Sequence, residues 1–284
     1  MRNKKRLLLT LTVCLLLALI GWLWWGNTAV MVHTIAVTDE RVPQAFSGFR
    51  IAQISDLHNA EFGTGNERLL TRLKEAKPDI IVITGDMIDS RRTDVEKALN
   101  FADGAVEIAP TYYVTGNHEQ RVGDAFAQLS EGLTGLGVHV LRGEGEILWR
   151  DGASITLLGV DDPSFYAMEL PGISAEGQML TDMLDLCRES GYTVLLAHRP
   201  ELVETYAQAG VELVFSGHAH GGQVRLPFVG GLVAPGQGLF PQYDGGLYTI
   251  GNTNLVVSRG LGNSIIPLRV NNRPEIVLAE LRSK

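Results

Sequence analysis

Residues 50–58 read Arg50-Ile51-Ala52-Gln53-Ile54-Ser55-Asp56-Leu57-His58, and residues 80–86 read Ile80-Ile81-Val82-Ile83-Thr84-Gly85-Asp86. Each is a short apolar run of strand type that ends in a turn carrying carboxylate or imidazole groups. Between them, Glu67 to Lys77 places Leu69, Leu70 and Leu73 at helical spacing behind Asn66, a candidate N-cap. Farther along, the pattern predicts a helix over Asp94–Ile108, a strand over Thr111–Val114 and a helix from Asp124 to Leu136. Strand and helix alternating in this way imply a largely parallel, buried sheet.

Before this unit, Val30 to Val37 alternates loosely as a first strand, and Arg41 to Gly48 reads as a loop. After it come predicted strands at Val138–Leu141, Ile147–Trp149, Ile155–Val160, Thr193–Ala197 and Glu212–Ser216, with helices near Ala175–Glu189 and from Pro200. Beyond Gly217 the chain is rich in glycine, and Leu247–Ile250, Leu255–Ser258 and Ile276–Leu281 read as strands separated by turn residues. A second sheet packed on the first would accommodate them.

With 284 residues, 45% of them hydrophobic, the chain can bury a large core, which excludes intrinsic disorder. Two cysteines, Cys14 and Cys187, exclude a disulfide-stapled mini-scaffold, and no bridge between them is expected. Arg2, Lys4, Lys5 and Arg6 precede every acidic residue, and the rest carries 20 basic against 32 acidic groups. A strongly acidic body disfavours sequence-independent nucleic-acid binding.

From Leu7 to Trp25 only Thr10 and Thr12 are polar. At about 1.5 Å per residue this run reaches roughly 28 Å, close to a hydrocarbon core. Basic residues before it and Trp22, Trp24 and Trp25 at its far end fit a retained signal-anchor with the body outside the cytoplasm. A cleaved secretory signal is the competing reading, but Gly26-Asn27-Thr28-Ala29 is a poor cleavage match. The expected organisation is therefore a basic cytoplasmic tip and anchor over residues 1–27, a linker and first strand over 28–48, and one domain over 49–284.

Chemistry-bearing residues recur just after apolar runs. Asp56 and His58 follow Ile51–Ser55; Asp86 follows Ile80–Thr84; Asn117, His118 and Glu119 follow Tyr112–Thr115; His198 follows Val194–Ala197; His218 and His220 follow Val214–Ser216. In an open α/β sheet the carboxyl ends of strands converge on one crevice. D-x-H and H-x-H can each chelate one ion, and Asp86, alone on its turn, is the candidate bridge between two. A mixed oxygen and nitrogen set without thiolates suits Mn²⁺, Fe or Zn²⁺. A pair of such ions about 3.5–4 Å apart would clamp a phosphoryl group and acidify a bridging water.

These motifs, D-x-H, G-D-x-x-D, G-N-H-E, H and G-H-x-H, resemble the signature of the calcineurin-like metallophosphoesterase superfamily over about Arg50 to Gln223. Ile54-Ser55-Asp56-Leu57-His58 and Gly217-His218-Ala219-His220-Gly221-Gly222-Gln223 are similar to its membrane-associated, YaeI/YkuE-like phosphodiesterase branch. The resemblance implies an α/β fold, a four-layer α/β/β/α sandwich preceded here by one transmembrane helix. It also implies a dinuclear phosphoesterase in which a metal-bridging hydroxide attacks phosphorus. Asp56, His58, Asp86 and His220 would hold one divalent cation, and Asp86, Asn117, His198 and His218 the other. His118 would stay unmetallated as general acid or positive stabiliser, oriented by Asp89 through a hydrogen bond. Asn117, His118 and Arg199 would face the substrate.

Glu119 is expected to make a structural hydrogen bond, Asp161 and Asp162 to border the site, and His139 to be an ordinary strand residue. His33 has no evident partner, and Gly221 and Gly222 would let the chain turn behind the ligand pair. The anchor motivates a lipid-linked or envelope phosphodiester or pyrophosphate substrate. A UDP-2,3-diacylglucosamine pyrophosphatase-like enzyme and a non-catalytic scaffold are the alternatives; the oligomeric state is open.

Overall fold

The computed structural model describes residues 2–166, 191–263 and 265–284. A 27-residue helix, α1 (Arg2–Thr28), projects from the body with its apolar side chains exposed. Two residues later begins β1 (Met31–Asp39), followed by β2 (Arg50–Ile54), α2 (Glu67–Ala76), β3 (Ile80–Thr84), α3 (Val95–Val106), β4 (Thr111–Val114), α4 (Asn117–Gln120), α5 (Asp124–Gly135) and β5 (His139–Val140). The second half supplies β6 (Glu144–Arg150), β7 (Ala153–Gly159), β8 (Tyr192–Leu196), the short helix Val203–Gln208 and β9 (Leu213–Ser216). Two small hairpins come next, β10 (Arg225–Leu226) with β11 (Gly230–Gly231) and β12 (Val233–Ala234) with β13 (Gly238–Leu239). The chain closes with β14 (Gly246–Ile250), β15 (Thr253–Val257) and β16 (Glu275–Ser283).

The strands form two six-stranded sheets, in the orders β1-β16-β2-β3-β4-β5 and β14-β15-β9-β8-β7-β6. Side-chain alternation explains their stacking. Ile81 and Ile83 point to a core shared with Leu69 and Leu73 of α2, Phe101 of α3 and Leu133 of α5. Ile80 and Val82 point the other way, meeting Val194, Leu196, Phe215 and Val256 of the second sheet. That sheet's outer face, Leu195, Val214 and Leu255, packs on Val203 and Tyr206. Three cores between four layers give the α/β/β/α arrangement. Each buried aliphatic side chain contributes about 1.5–3 kcal/mol.

Several details differ from the sequence reading. β2 to β5 are parallel, but β16 enters between β1 and β2, parallel to β1 and antiparallel to β2, so Ile276–Leu281 belongs to the first sheet and not the second. Its partner edge on β2 was open, and both faces of β16 are apolar and buried. Asn66 precedes α2 with φ 62 and caps nothing; its Oδ1 accepts from the Phe62 amide instead. Asp94 does cap α3, accepting from the Lys97 amide at 3.3 Å. Residues 28–48 are packed into the fold, since β1 pairs with β16 over nine residues. The helix expected over Ala175–Glu189 lies outside the described residues.

Candidate metal centre

The turns after β2, β3, β4, β8 and β9 meet at one edge of the sandwich. Backbone bonds lace the first two together: Asp56 N donates to Gly85 O at 3.1 Å and His58 N to Asp86 O at 3.0 Å. Asp56, His58, Asp86, His218 and His220 all adopt left-handed backbone, with φ of 52°, 45°, 53°, 63° and 49°. Non-glycine residues there cost about 1–2 kcal/mol each, and such strain collects at functional sites. Glycines supply the close approaches: a Cβ on Gly217 would stand 1.9 Å from Ser55 Oγ, and one on Gly116 would stand 2.3 Å from Asp86 Oδ1.

Glu119 is the brace behind these turns. It is fully buried, and its carboxylate accepts amide hydrogens from Gly116 at 2.8 Å, Asp86 at 3.0 Å, Met87 at 2.8 Å and Ile88 at 3.4 Å. Burial and the charge of Asp86 push its pKa up to about 8, against the pull of those amides.

Three groups of donor atoms result, each compact enough to surround one ion: Asp56, His58, Asp86 and His220; Asp86, His198 and His218; and His58, Asp89 and His118. Asp86 is common to the first two. Its Oδ2 lies 3.5 Å from His58 Nε2 and 3.4 Å from His198 Nε2, while its Oδ1 accepts the His118 amide at 2.8 Å. His220 Nε2 is 3.3 Å from Asp56 Oδ1, and Asp56 is held by the His218 amide. Asn117 is buried beside the second group in the same cleft, and its Oδ1 has no hydrogen-bond partner.

The electrostatics suit cations. Burial pushes His58 down to about 4 and His218 to about 3, and holds His220 well below the usual histidine range, so these rings present lone pairs. His58 Nε2 faces His220 Nε2 at 3.1 Å, and His198 Nε2 faces His218 Nδ1 at the same distance. Ring nitrogens this close need a proton or a cation between them. Burial also lowers His198, but Asp86, by charge and hydrogen bond, carries it well above the normal value. Burial raises Asp56 to about 6, with Asp86 adding to the shift and His198 opposing it. Two carboxylates, one orphaned amide oxygen and four imidazoles therefore fit divalent cations with nitrogen and oxygen preference.

His118 sits against this floor, its ring 4.5 Å from that of His58. His118 Nδ1 accepts the Ser90 amide at 2.9 Å, and His118, Asp89 and His58 lie together in one compact donor group. Asp89 accepts the Arg91 amide through Oδ1 at 2.8 Å, and its Oδ2 stands 3.9 Å from His58 Nδ1. A carboxylate two residues from its own turn's amides is better placed to shape that turn than to cross it. Arg199 lines the cleft and is gripped by Asp162 at 2.7 and 3.0 Å. Asp161 is taken up by Arg142 and Thr115, His139 pairs with Glu146 at 2.8 Å, and His33 lies 3.5 Å from Glu275.

The cleft, about 440 Å³, also has walls that motif reading did not find: Arg121, Gln223, Val233–Gly236, Ile265 and Ile266. Nor did it find Arg269, a fully buried guanidinium that donates to Arg259 O at 2.7 Å, Gly262 O at 2.6 Å and Asn263 Oδ1 at 3.1 Å, 3.5 Å from His220 Nδ1. No periodic pattern marks a residue whose partners are loop carbonyls.

An α/β/β/α sandwich with Asp/His groups at its strand ends defines a metallophosphoesterase, and residues 49–222 match the calcineurin-like phosphoesterase family. The chain belongs to that family. It is 33% identical over 264 residues to the uncharacterized metallophosphoesterase YkuE of Bacillus subtilis, covering 88% of this chain and 84% of that one. It is 29% identical to the phosphodiesterase YaeI of Escherichia coli over 82% of both chains. A transmembrane protein with metallophosphoesterase domain from Danio rerio is 28% identical over 96% of this chain, which spans 62% of that protein. With α1, long and apolar enough to cross a membrane, these relatives indicate membrane association.

Proposed function

We propose that this protein is a membrane-anchored, metal-dependent hydrolase of phosphodiester or pyrophosphate bonds, acting on a lipid-linked or envelope substrate. The observation that carries the reading is the sharing of Asp86 between two Asp/His groups at the strand ends. In this reading Asp56, His58, Asp86 and His220 hold one divalent cation, Mn, Fe or Zn, and Asp86, Asn117, His198 and His218 hold the second. When bound, such a pair polarises the phosphoryl group and supplies an activated water.

The chain's own residues do the rest. Glu119 keeps the Asp86 and Asn117 turns in register through its four amide bonds. Arg199, fixed by Asp162, faces the cleft and meets the phosphate's charge. Because His118 Nδ1 accepts the Ser90 amide, the neutral ring carries its proton on Nε2. Burial lowers its pKa while Asp86 and Asp89 oppose the fall. His118 thus offers an Nε2–H to the leaving oxygen, and Asp89 acts on it through the turn that aims the Ser90 amide. Hydrolysis places the oxygen of water on phosphorus and breaks the bond to the leaving oxygen, which takes up the proton that the attacking water releases while the Nε2–H hydrogen bond holds it. Residues 1–27 serve as basic tip and anchor with the body outside the cytoplasm, 28–48 bring in the first strand, and 49–284 form the catalytic domain.

The test is hydrolysis of bis-p-nitrophenyl phosphate and p-nitrophenyl phosphate by the detergent-purified full chain, after chelation and after return of Mn²⁺. Metal-restored turnover that disappears in Asp86→Asn and His118→Ala is the expected result. A folded, metal-loaded protein without turnover on any phosphoester leaves the scaffold alternative instead.

A further inference from the structure

Strand register fixes which edge of the body meets the membrane helix. β16 runs antiparallel to β2, with Val277 opposite Gln53, so Glu275 at its start lies beside the carboxyl end of β2, where Asp56 and His58 stand. β1 is parallel to β16, with Met31 opposite Glu275. The chain leaves α1 at Thr28 and enters β1 at Met31, so the helix joins the body at the edge that bears the cleft.

The joint is not a free hinge. Asn27 bonds both the amide and the carbonyl of Arg269, at 2.8 and 2.9 Å. Arg273 donates to Ala29 O at 2.9 Å and its guanidinium covers the Trp25 ring at 4.3 Å. The segment that receives the helix is also a cleft wall, because Ile265 and Ile266 line the cleft only a few residues before Arg269. Three residues of extended chain span at most about 11 Å, so Ile266 lies within that distance of Arg269, the residue that Asn27 grips at the helix foot. Headgroup layers are about 5–8 Å deep and interfacial apolar groups enter by about 5–10 Å, so the wall falls at the bilayer surface.

This edge is apolar where a water-facing edge would not be. Ile265 is 71% exposed, with Ile266 and Leu268 exposed beside it. The segment is held in place by Gln223, whose Nε2 reaches Ile266 O at 2.8 Å and Leu268 O at 3.0 Å. The β10–β11 hairpin docks on the same segment through Arg225 N to Val270 O at 3.0 Å, and it presents Leu226, Phe228 and Val229 to solvent. Exposed apolar side chains on segments tied to the foot of a membrane helix mark a lipid contact.

We propose that the catalytic edge is seated on the bilayer, with Leu226, Phe228, Val229, Ile265, Ile266 and Leu268 among the lipid headgroups. The substrate is then a phosphoester of a membrane lipid, its phosphate on the Asp/His floor and its chains leaving over Ile265 and Ile266. The substrate half of this inference rests on the phosphoesterase reading above; the seating half does not.

The test uses the full chain, with Cys14→Ser and Cys187→Ser, in phosphatidylcholine–phosphatidylglycerol nanodiscs. Nitroxide labels on Phe228→Cys and Ile265→Cys should collide with oxygen more than with a water-soluble nickel chelate. A label on Asp151→Cys, at the opposite strand ends before β7, should show the reverse. Aqueous behaviour at 228 and 265 overturns the seating. With Mn²⁺ present, p-nitrophenyl hexadecyl phosphate is compared with p-nitrophenyl methyl phosphate. Phe228→Ser combined with Val229→Ser should lower kcat/KM for the hexadecyl ester about tenfold, the loss of one or two partly immersed side chains, and leave the methyl ester unchanged. Equal loss on both esters, or no preference for the long chain in the unaltered protein, overturns the lipid substrate. Hydrolysis of neither, with lipid-exposed labels, overturns the phosphoesterase reading and keeps the seating.

Discussion

Gly116→Ala separates the placement of Asp86 from the stability of the fold. Gly116 has φ −110°, a conformation alanine accepts, so the cost is steric alone. The new Cβ would lie 2.3 Å from Asp86 Oδ1, 2.6 Å from its amide nitrogen and 2.8 Å from its Cγ. Ordinary contact needs about 3.5 Å, so Asp86 must retreat by about 1 Å. It cannot swing aside freely, since Oδ1 holds the His118 amide and its own amide is bound to Glu119. Overpacking of this kind costs about 1–3 kcal/mol, or about 2–10 °C in Tm for a domain of this size. A misplacement near 1 Å at a reacting centre costs about 100-fold in rate.

The control is Gly48→Ala, where φ is +85° and the added Cβ meets nothing within 4 Å. That change carries backbone strain of about 1 kcal/mol and no contact with the site. Thermal unfolding, bound metal and bis-p-nitrophenyl phosphate turnover are measured on both. Both variants should melt earlier, and Gly116→Ala alone should lose metal and about 100-fold in kcat. Full metal content with turnover within threefold of the unaltered protein would refute the placement of Asp86 at the reacting centre.

Further outcomes follow from the same geometry. Glu119→Gln sets an amide NH₂ against two of four backbone donors and should cost about 3–5 kcal/mol, seen as a fall in Tm and in metal content. Chelation should lower Tm, and Mn²⁺ at a thousand times its Kd should restore about 4 kcal/mol, read by thermal unfolding with and without the ion. Asn27→Ala removes both side-chain bonds to Arg269 and should cost about 1–2 kcal/mol locally. Hydrogen exchange should then quicken over residues 263–273 while the sheets keep their protection.

Much of this arrangement is legible in the sequence wherever one strand and its turn carry the information. Ile80–Thr84 reads as a strand because both its faces are apolar, and Asp86 reads as a site residue because it stands at that strand's end. What depends on partners far along the chain is not legible. Ile276–Leu281 fits either sheet until the open edge of β2 is known. The bond from the Ser90 amide to His118 Nδ1 turns on which way a four-residue turn folds. Arg269 finds its partners among carbonyls of Arg259 and Gly262, which no spacing rule encodes, and its link to Asn27 crosses 242 residues. The paired glycines at 221 and 222 turn the chain behind His220, where an added Cβ would stand 2.3 Å from Asn272 Oδ1 and 2.3 Å from Gly231 Cα.

The distribution of strain gives these pieces a common logic. Of the thirteen non-glycine residues with positive φ among the described residues, five are Asp56, His58, Asp86, His218 and His220, all outside the strands that precede them. The strands themselves are buried and regularly paired, so the three cores hold the turns in conformations they would not choose alone. Imidazoles are thereby brought nitrogen to nitrogen, an arrangement that a cation relieves. Ion binding should therefore tighten the turns and leave the sheets nearly unchanged. The same turns adjoin the segment that grips α1, through Arg269 beside His220 and Asn27 beyond it. The helix foot is thus linked to the ligand turn through Arg269 as directly as it is to the first sheet through β1.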